Sequence, residues 1–151
     1  MALGIVFSLL NINKAPMINE SIILYDGHCM LCSNFVKKVL RADDQDLFRF
    51  CPIQSKKANE LLKMVGYHEE VDLTTILLIS NKAVYTQSTA ALFILTRLKG
   101  IYPILGLGWL VPTFIRNIVY RWIAKNRIHW FGVRDQCFIP ERSWHHKIVT
   151  E

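Results

Sequence analysis

Residues 25–32, with the sequence YDGHCMLC, are the most informative part of this chain for predicting its fold. An apolar run, Ser21 to Tyr25, leads into it and predicts a buried strand. The Asp-Gly pair then turns the chain, and apolar residues recur at helical spacing from Ser33 to Arg41. The sequence therefore predicts a strand that turns directly into a helix, with a Cys-x-x-Cys pair at the helix start.

The two cysteines of this pair are predicted to carry redox chemistry. Thiols three residues apart on one helical turn are close enough to form a disulfide. The unpaired N–H groups and partial positive charge of a helix N-terminus favour a thiolate there. We expect Cys29, at the open end, to be the solvent-exposed attacking thiol and Cys32, one turn deeper, to be the resolving thiol. This arrangement is typical of thioredoxin-like thiol-disulfide exchange, for which we predict no cofactor.

Two polar residues beside the pair have two interpretations each. Asp26 has two compatible interpretations: a partly buried carboxylate that relays a proton to and from Cys32, and an Asx turn that holds the strand-to-helix geometry. His28, when protonated, stabilises a Cys29 thiolate, or else it is an exposed loop residue.

The remaining cysteines allow an alternative function. Cys51, at the end of the second predicted strand, has the pattern of a small buried hydrophobe, and Cys137 is a candidate third redox cysteine. All four cysteines together could instead form a zinc site, in a metal-binding or non-catalytic interaction module. Structural zinc sites usually take two close pairs of ligands, whereas this sequence has one, so redox chemistry is favoured.

The order of predicted elements gives the fold class. Strands and helices alternate as β-α-β-α-β-β-α, with the first two strands parallel and a later hairpin adding antiparallel pairing. This is an α/β, thioredoxin-like core with a mixed central sheet and extra C-terminal helices. After the first helix the predicted elements are a strand over 47–51 stopped by Pro52, a helix capped by Ser55 and ended by Gly66, strands over 74–79 and 83–86, a helix over 89–99 capped by Ser88, and a helix from Pro112 to about Arg127.

Much of the net charge of +6 lies in the last third of the sequence, which contains the last of these helices. Its apolar residues fall on one face, and Trp122 is expected in the core. Its charges, including Arg121, Lys125 and Arg127, are interpreted as a solvated face rather than a nucleic-acid site. Contact of residues 101–130 with a membrane surface is kept as an alternative.

The length of 151 residues predicts one domain. We divide the chain into an N-terminal extension (1–19), a redox domain with a C-terminal helical segment (20–140) and a polar tail that frays (141–151). The apolar residues 1–10 lack a basic start and a cleavage site, so a cytoplasmic protein is expected rather than an exported one. No apolar run reaches the roughly 18 residues that span a bilayer.

Several motifs together resemble the DCC family of thiol-disulfide oxidoreductases, named for an Asp and two Cys. Here these are Asp26, Cys29 and Cys32. The sequences IQS at 53–55, STAAL at 88–92 and the segment 116–140, with its Phe131-Gly132 and Asp135-x-Cys137, also match. The resemblance covers roughly residues 20–140 and implies a thioredoxin-like fold and redox activity, but it does not supply a substrate. We predict that the partner is a protein or small-molecule disulfide or thiol. Residues 72–75 lack the proline that thioredoxins place beside their active site.

Overall fold

The central sheet has four strands in the order β2-β1-β3-β4 in the computed structural model. The structure describes residues 21–70, 75–100, 102–133, 135, 136, 138 and 140–149. The predictions for residues 1–20, for 72–74 and for Cys137 lie outside these ranges. The elements, in chain order, are β1 (Ser21–Tyr25), α1 (Met30–Ala42), β2 (Phe48–Pro52), α2 (Lys56–Met64), β3 (Leu77–Ser80), β4 (Ala83–Thr86), α3 (Gln87–Thr96), a 3₁₀ segment (Tyr102–Leu110), α4 (Thr113–Phe131) and a second 3₁₀ segment (Arg142–Lys147).

Strand pairing confirms the predicted α/β, thioredoxin-like topology. Strand β1 is parallel to β2 and antiparallel to β3, which pairs in turn with β4. All five residues of β1 are buried, because helices cover both faces of the sheet. Ile23 and Tyr25 pack with α1 and α3 on one face, and Ile22 and Leu24 pack with α2 on the other.

The predicted N-cap residue is confirmed for α2 and is wrong for α3. Ser55 caps α2 as predicted, with its Oγ accepting a hydrogen bond from the main-chain N–H of Ala58 at 3.2 Å. The predicted cap of α3 at Ser88 is wrong, since that helix begins at Gln87. The Ser88 side chain is buried and donates to Asn117 of α4 instead, a partner that local sequence does not reveal.

Helix α4 turns its apolar residues outward. Trp122 is 59% exposed, so the prediction that it lies in the core is wrong, and Ile118 is exposed as well. The side of α4 that contacts the domain carries polar side chains, each with a specific partner: Asn117, Tyr120 and Arg127. No helix among the described residues is long and apolar enough to cross a membrane.

The C-terminal residues pack against the domain, so the prediction that they fray is wrong for residues 142–149. Ile148 pairs with Phe50 in a parallel bridge, and the N–H of Val149 donates to the Phe50 carbonyl at 2.7 Å. Both contacts lie on β2, one of the two edge strands, so the C-terminal residues cover that edge of the sheet.

Candidate active site

The turn after β1 places Cys29 at the N-terminus of α1. The main-chain N–H of His28 donates to Asp26 Oδ1 at 2.9 Å, which is an Asx turn and confirms the structural interpretation of Asp26. Cys29 is the last extended residue before the helix, and its carbonyl accepts the helical hydrogen bond from the Ser33 N–H. Cys32 follows within the first turn, so both thiols lie at the helix N-terminus, and both are free.

Cys29 is covered rather than exposed. Only 2% of its surface is accessible, which contradicts the prediction of an open thiol. The cover comes from the chain after α4, where Val133 forms an antiparallel bridge with Cys29 and the Gly132 carbonyl accepts from the Met30 N–H at 3.4 Å. This return of the chain is a long-range contact, which the local pattern around Cys29 does not encode.

Arg127 joins the cysteine pair to the carboxylate. It is 3% exposed, so its assignment to a solvated face is wrong. Its Nη1 donates to Cys32 Sγ at 3.4 Å, and its Nη2 donates to Asp26 Oδ2 at 3.2 Å. Sequence reasoning missed this role, although Arg127 lies in the segment that resembles the family.

The two thiols have opposite pKa shifts. The pKa of Cys29 is lowered to about 6, chiefly by a hydrogen bond from the Cys32 thiol. Main-chain N–H groups of Cys32 and Leu31 and the charge of Arg127 act in the same direction, against the effect of burial. The pKa of Cys32 is raised, because its thiol proton is held by Cys29 and because burial disfavours its thiolate. Cys29 therefore ionises first.

Asp26 is held by more partners than the sequence indicated. Its Oδ1 also accepts from Gln54 Nε2 at 2.7 Å, and its Oδ2 is the oxygen paired with Arg127. Gln54 belongs to the IQS motif at residues 53–55, and that motif was the feature of the sequence from which its place in the site could have been inferred. His28 is half-buried and contributes its main-chain N–H to this network.

Cys51 lies apart from the pair. It faces the core between the sheet and α2, whereas Cys29 and Cys32 belong to the core on the opposite face. Its Sγ lies 3.2 Å from Ser55 Oγ, and burial raises its pKa. A zinc shell that includes Cys51 together with the pair is therefore wrong, because the sheet separates them. Cys137 falls outside the described residues.

Tyr120 fixes α4 relative to the sheet. Its hydroxyl accepts a hydrogen bond from the Ile76 N–H at 3.1 Å and lies 3.0 Å from Thr75 Oγ1. Burial raises the pKa of Tyr120, so it remains a neutral hydrogen-bonding group. Because Tyr120 and Arg127 lie on one side of α4, the same tether positions the guanidinium.

A groove of about 320 Å³ runs along α1, and its lining begins at Leu31 between the two cysteines. Its apolar walls are Leu31, Phe35 and Phe131, and its rim carries basic side chains. Leu31 is one of the two residues between the cysteines, whereas the buried thiols themselves do not line the groove.

Comparisons with known proteins agree with this chemistry. Residues 23–133 match the family model described as DCC1-like thiol-disulfide oxidoreductase. The uncharacterized protein YuxK of Bacillus subtilis is 35% identical over 129 residues, which is 85% of this chain and 93% of YuxK. A chloroplastic DCC family protein of Arabidopsis thaliana is 33% identical over 117 residues, which is 77% of this chain and 67% of that protein. No solved structure matches.

Proposed function

Because the chain belongs to the DCC1-like thiol-disulfide oxidoreductase family, we propose that it exchanges disulfides through Cys29 and Cys32. Cys29 is the attacking thiol and Cys32 is the resolving thiol. The observation that carries this proposal is the thiol pair at the start of α1, with Arg127 donating to Cys32 Sγ and pairing with Asp26.

The exchange has two steps. The Cys29 thiolate attacks one sulfur of a substrate disulfide, so that a Cys29–substrate disulfide forms and the other substrate sulfur leaves as a thiolate. Cys32 then loses its proton and attacks Cys29 Sγ, which forms the Cys29–Cys32 disulfide and releases the second substrate thiol. Two electrons pass from the protein to the substrate, and a cellular dithiol restores the reduced pair. The same steps in reverse oxidise a substrate dithiol.

The pKa difference between the thiols supports this order. With a pKa of about 6, Cys29 is largely thiolate at neutral pH, and the thiolate is the nucleophile. Cys32 keeps its proton until a mixed disulfide removes the negative charge next to it. Asp26, whose charge acts on Cys32, then takes up that proton and passes it to the departing sulfur.

The groove along α1 is the proposed substrate site. It is lined by Leu31, two residues after Cys29, and by Phe131, just before the residues that bridge to Cys29. Residues 132 and 133 must shift for a substrate sulfur to meet Cys29 Sγ, because Val133 bridges to Cys29.

Trapping of the mixed disulfide tests the assignment. A Cys32→Ser variant should retain substrates linked to Cys29, and Cys29→Ser should retain none. Cys51→Ser is the matched control, because Cys51 lies on the opposite face of the sheet, and it should exchange as the unmodified protein does. Asp26→Asn should slow release from Cys29 without changing the thiol count. A glutathione titration in which no Cys29–Cys32 disulfide forms at any ratio would contradict the proposal.

A further inference from the structure

The largest exposed apolar surface described lies on the 3₁₀ segment Tyr102–Leu110 and on α4. Leu110 is 82% exposed and Phe114 is 67% exposed. The other highly exposed members are Ile104, Leu107, Ile118 and Trp122. We call the exposed apolar side chains of residues 102–131 the apolar face. Soluble domains rarely expose so many neighbouring large apolar side chains unless they bind something.

The domain holds the 3₁₀ segment in this orientation. A Cβ atom on Gly108 would lie 3.0 Å from Leu92 Cδ2, and one on Gly106 would lie 3.1 Å from Thr96 Cγ2. The segment therefore lies against α3 through its glycines, and its large side chains project away from α3. The Arg116 guanidinium lies 5.0 Å from the centre of the Trp109 ring, which links this segment to α4.

The charge around the apolar face has one sign. From residue 73 to residue 134 the sequence has eight Lys and Arg residues and no Asp or Glu. Arg127 is used internally and Lys99 pairs with Asp44 at 3.5 Å, but Arg121 and Lys125 are exposed on α4 among the apolar side chains. The face thus combines apolar groups with positive charge and lacks acidic residues.

We propose that the apolar face docks on the surface of a membrane containing anionic lipids. Apolar side chains enter the boundary between headgroups and acyl chains, and Lys and Arg side chains reach the phosphates. Exposed tryptophans, here Trp109, Trp122 and Trp130, suit this interfacial depth. A second copy of the chain fits less well, because two such faces would place like charges together. A protein partner would need acidic groups placed opposite these charges, whereas an anionic membrane presents negative charge over its whole surface.

Sedimentation of the full-length chain with vesicles tests this proposal. We expect binding to vesicles of phosphatidylcholine and phosphatidylglycerol in equal parts, weakening with added salt, and no binding to pure phosphatidylcholine. Each Lys or Arg near an anionic surface contributes about fivefold to binding, so Arg121→Gln with Lys125→Gln should weaken it on the order of 25-fold. The matched control, Lys56→Gln with Lys63→Gln on exposed α2 positions, should bind normally.

The apolar contribution is tested separately. Leu110→Ser with Phe114→Ser should abolish binding to the anionic vesicles, whereas Met64→Ser, at another exposed apolar position, should not change it. Cys29→Ser should bind as the unmodified chain does, which separates docking from thiol chemistry. Absence of binding to anionic vesicles would overturn the proposal. So would a dimer in solution that the Leu110 and Phe114 substitutions dissociate.

Discussion

Arg127 places one positive charge against both Cys32 and Asp26 from a buried position. A buried charge requires a partner, and the Asp26 carboxylate provides it. The remaining N–H groups of the guanidinium can then act on sulfur. The ion pair thus holds a cation next to a thiol pair without leaving the cation uncompensated.

The reactivity of Cys29 should depend on pH with a midpoint near 6, because its thiolate reacts and its thiol does not. The rate of iodoacetamide modification should rise with pH through this midpoint and then level off. Cys32→Ala should raise the midpoint toward the value of about 8.5 for a free thiol, since the Cys32 hydrogen bond is the main cause of the shift. Arg127→Gln should raise the midpoint of Cys29 modification by a smaller amount.

Two variants control this measurement. Arg127→Lys keeps the charge and should stay closer to the unmodified protein than Arg127→Gln does. Cys51→Ala should leave the profile unchanged, because Cys51 lies on the opposite face of the sheet. A midpoint near 8.5 in the unmodified protein would show that these contacts do not activate Cys29.

The residues of the site differ in how far the sequence could predict them. Cys29, Cys32 and Asp26 lie within seven consecutive residues, so strand, turn and helix patterns place them together. Arg127 lies 95 residues from Cys32 and 101 from Asp26, so its contacts depend on how α4 packs. The cover over Cys29 was missed for the same reason.

Among the elements, α4 shows that the spacing of apolar residues does not always predict which face of a helix is buried. The apolar spacing predicted the helix itself, which runs from Thr113 to Phe131, a few residues beyond the expected end. The same spacing predicted the wrong side of α4 as the buried one, because the contacts that orient α4 are hydrogen bonds of Asn117, Tyr120 and Arg127. In α1 the apolar stripe did predict the buried side, with Val36, Val39 and Leu40 in the core.

Gly132 ends α4 and directs the chain over Cys29. Its φ of 83° and ψ of 179° lie in a region that only glycine adopts readily. Gly132→Ala should therefore cost about 1–3 kcal/mol and displace the bridge between Val133 and Cys29. We expect iodoacetamide to modify Cys29 several-fold faster in this variant at fixed pH.

Gly66→Ala is the matched control for this prediction. Gly66 also has a positive φ, 74°, and open space around its Cα, but it ends α2 on the other side of the sheet. The Gly66→Ala substitution should lower thermal stability without changing the rate at which iodoacetamide modifies Cys29. An unchanged rate in Gly132→Ala would show that residues 132 and 133 do not limit access to the thiol.

For the molecule as a whole, a buried ion pair fastens the C-terminal residues. Lys147 Nζ lies 3.2 Å from Asp43 Oδ2, and the Asp43 side chain is 1% exposed. Asp43 also accepts hydrogen bonds from the N–H groups of Leu47, just before β2, and Phe48, the first residue of β2. The pair therefore connects the end of α1, the start of β2 and the C-terminal segment.

Lys147→Met should lower the free energy of unfolding by about 3–5 kcal/mol, because it leaves the Asp43 carboxylate buried without its cation. The matched control is Lys57→Met. Lys57 pairs with Glu60 at the same 3.2 Å, but this pair is on the surface and its loss should cost less than about 1 kcal/mol. Urea denaturation gives both values, and equal losses would show that the burial of the Asp43 pair adds nothing.

The pairing of Phe50 with Ile148 also fixes an order of events during translation. Strand β2 leaves the ribosome early, whereas residues 148 and 149 emerge only after nearly all of the domain has been synthesised. Until then the outer N–H and C=O groups of β2 have no cover from these residues, and an uncovered strand edge pairs readily with other chains. The edge of β2 is therefore open to pairing with other chains throughout most of synthesis, and it is covered at Phe50 once residues 148 and 149 fold back.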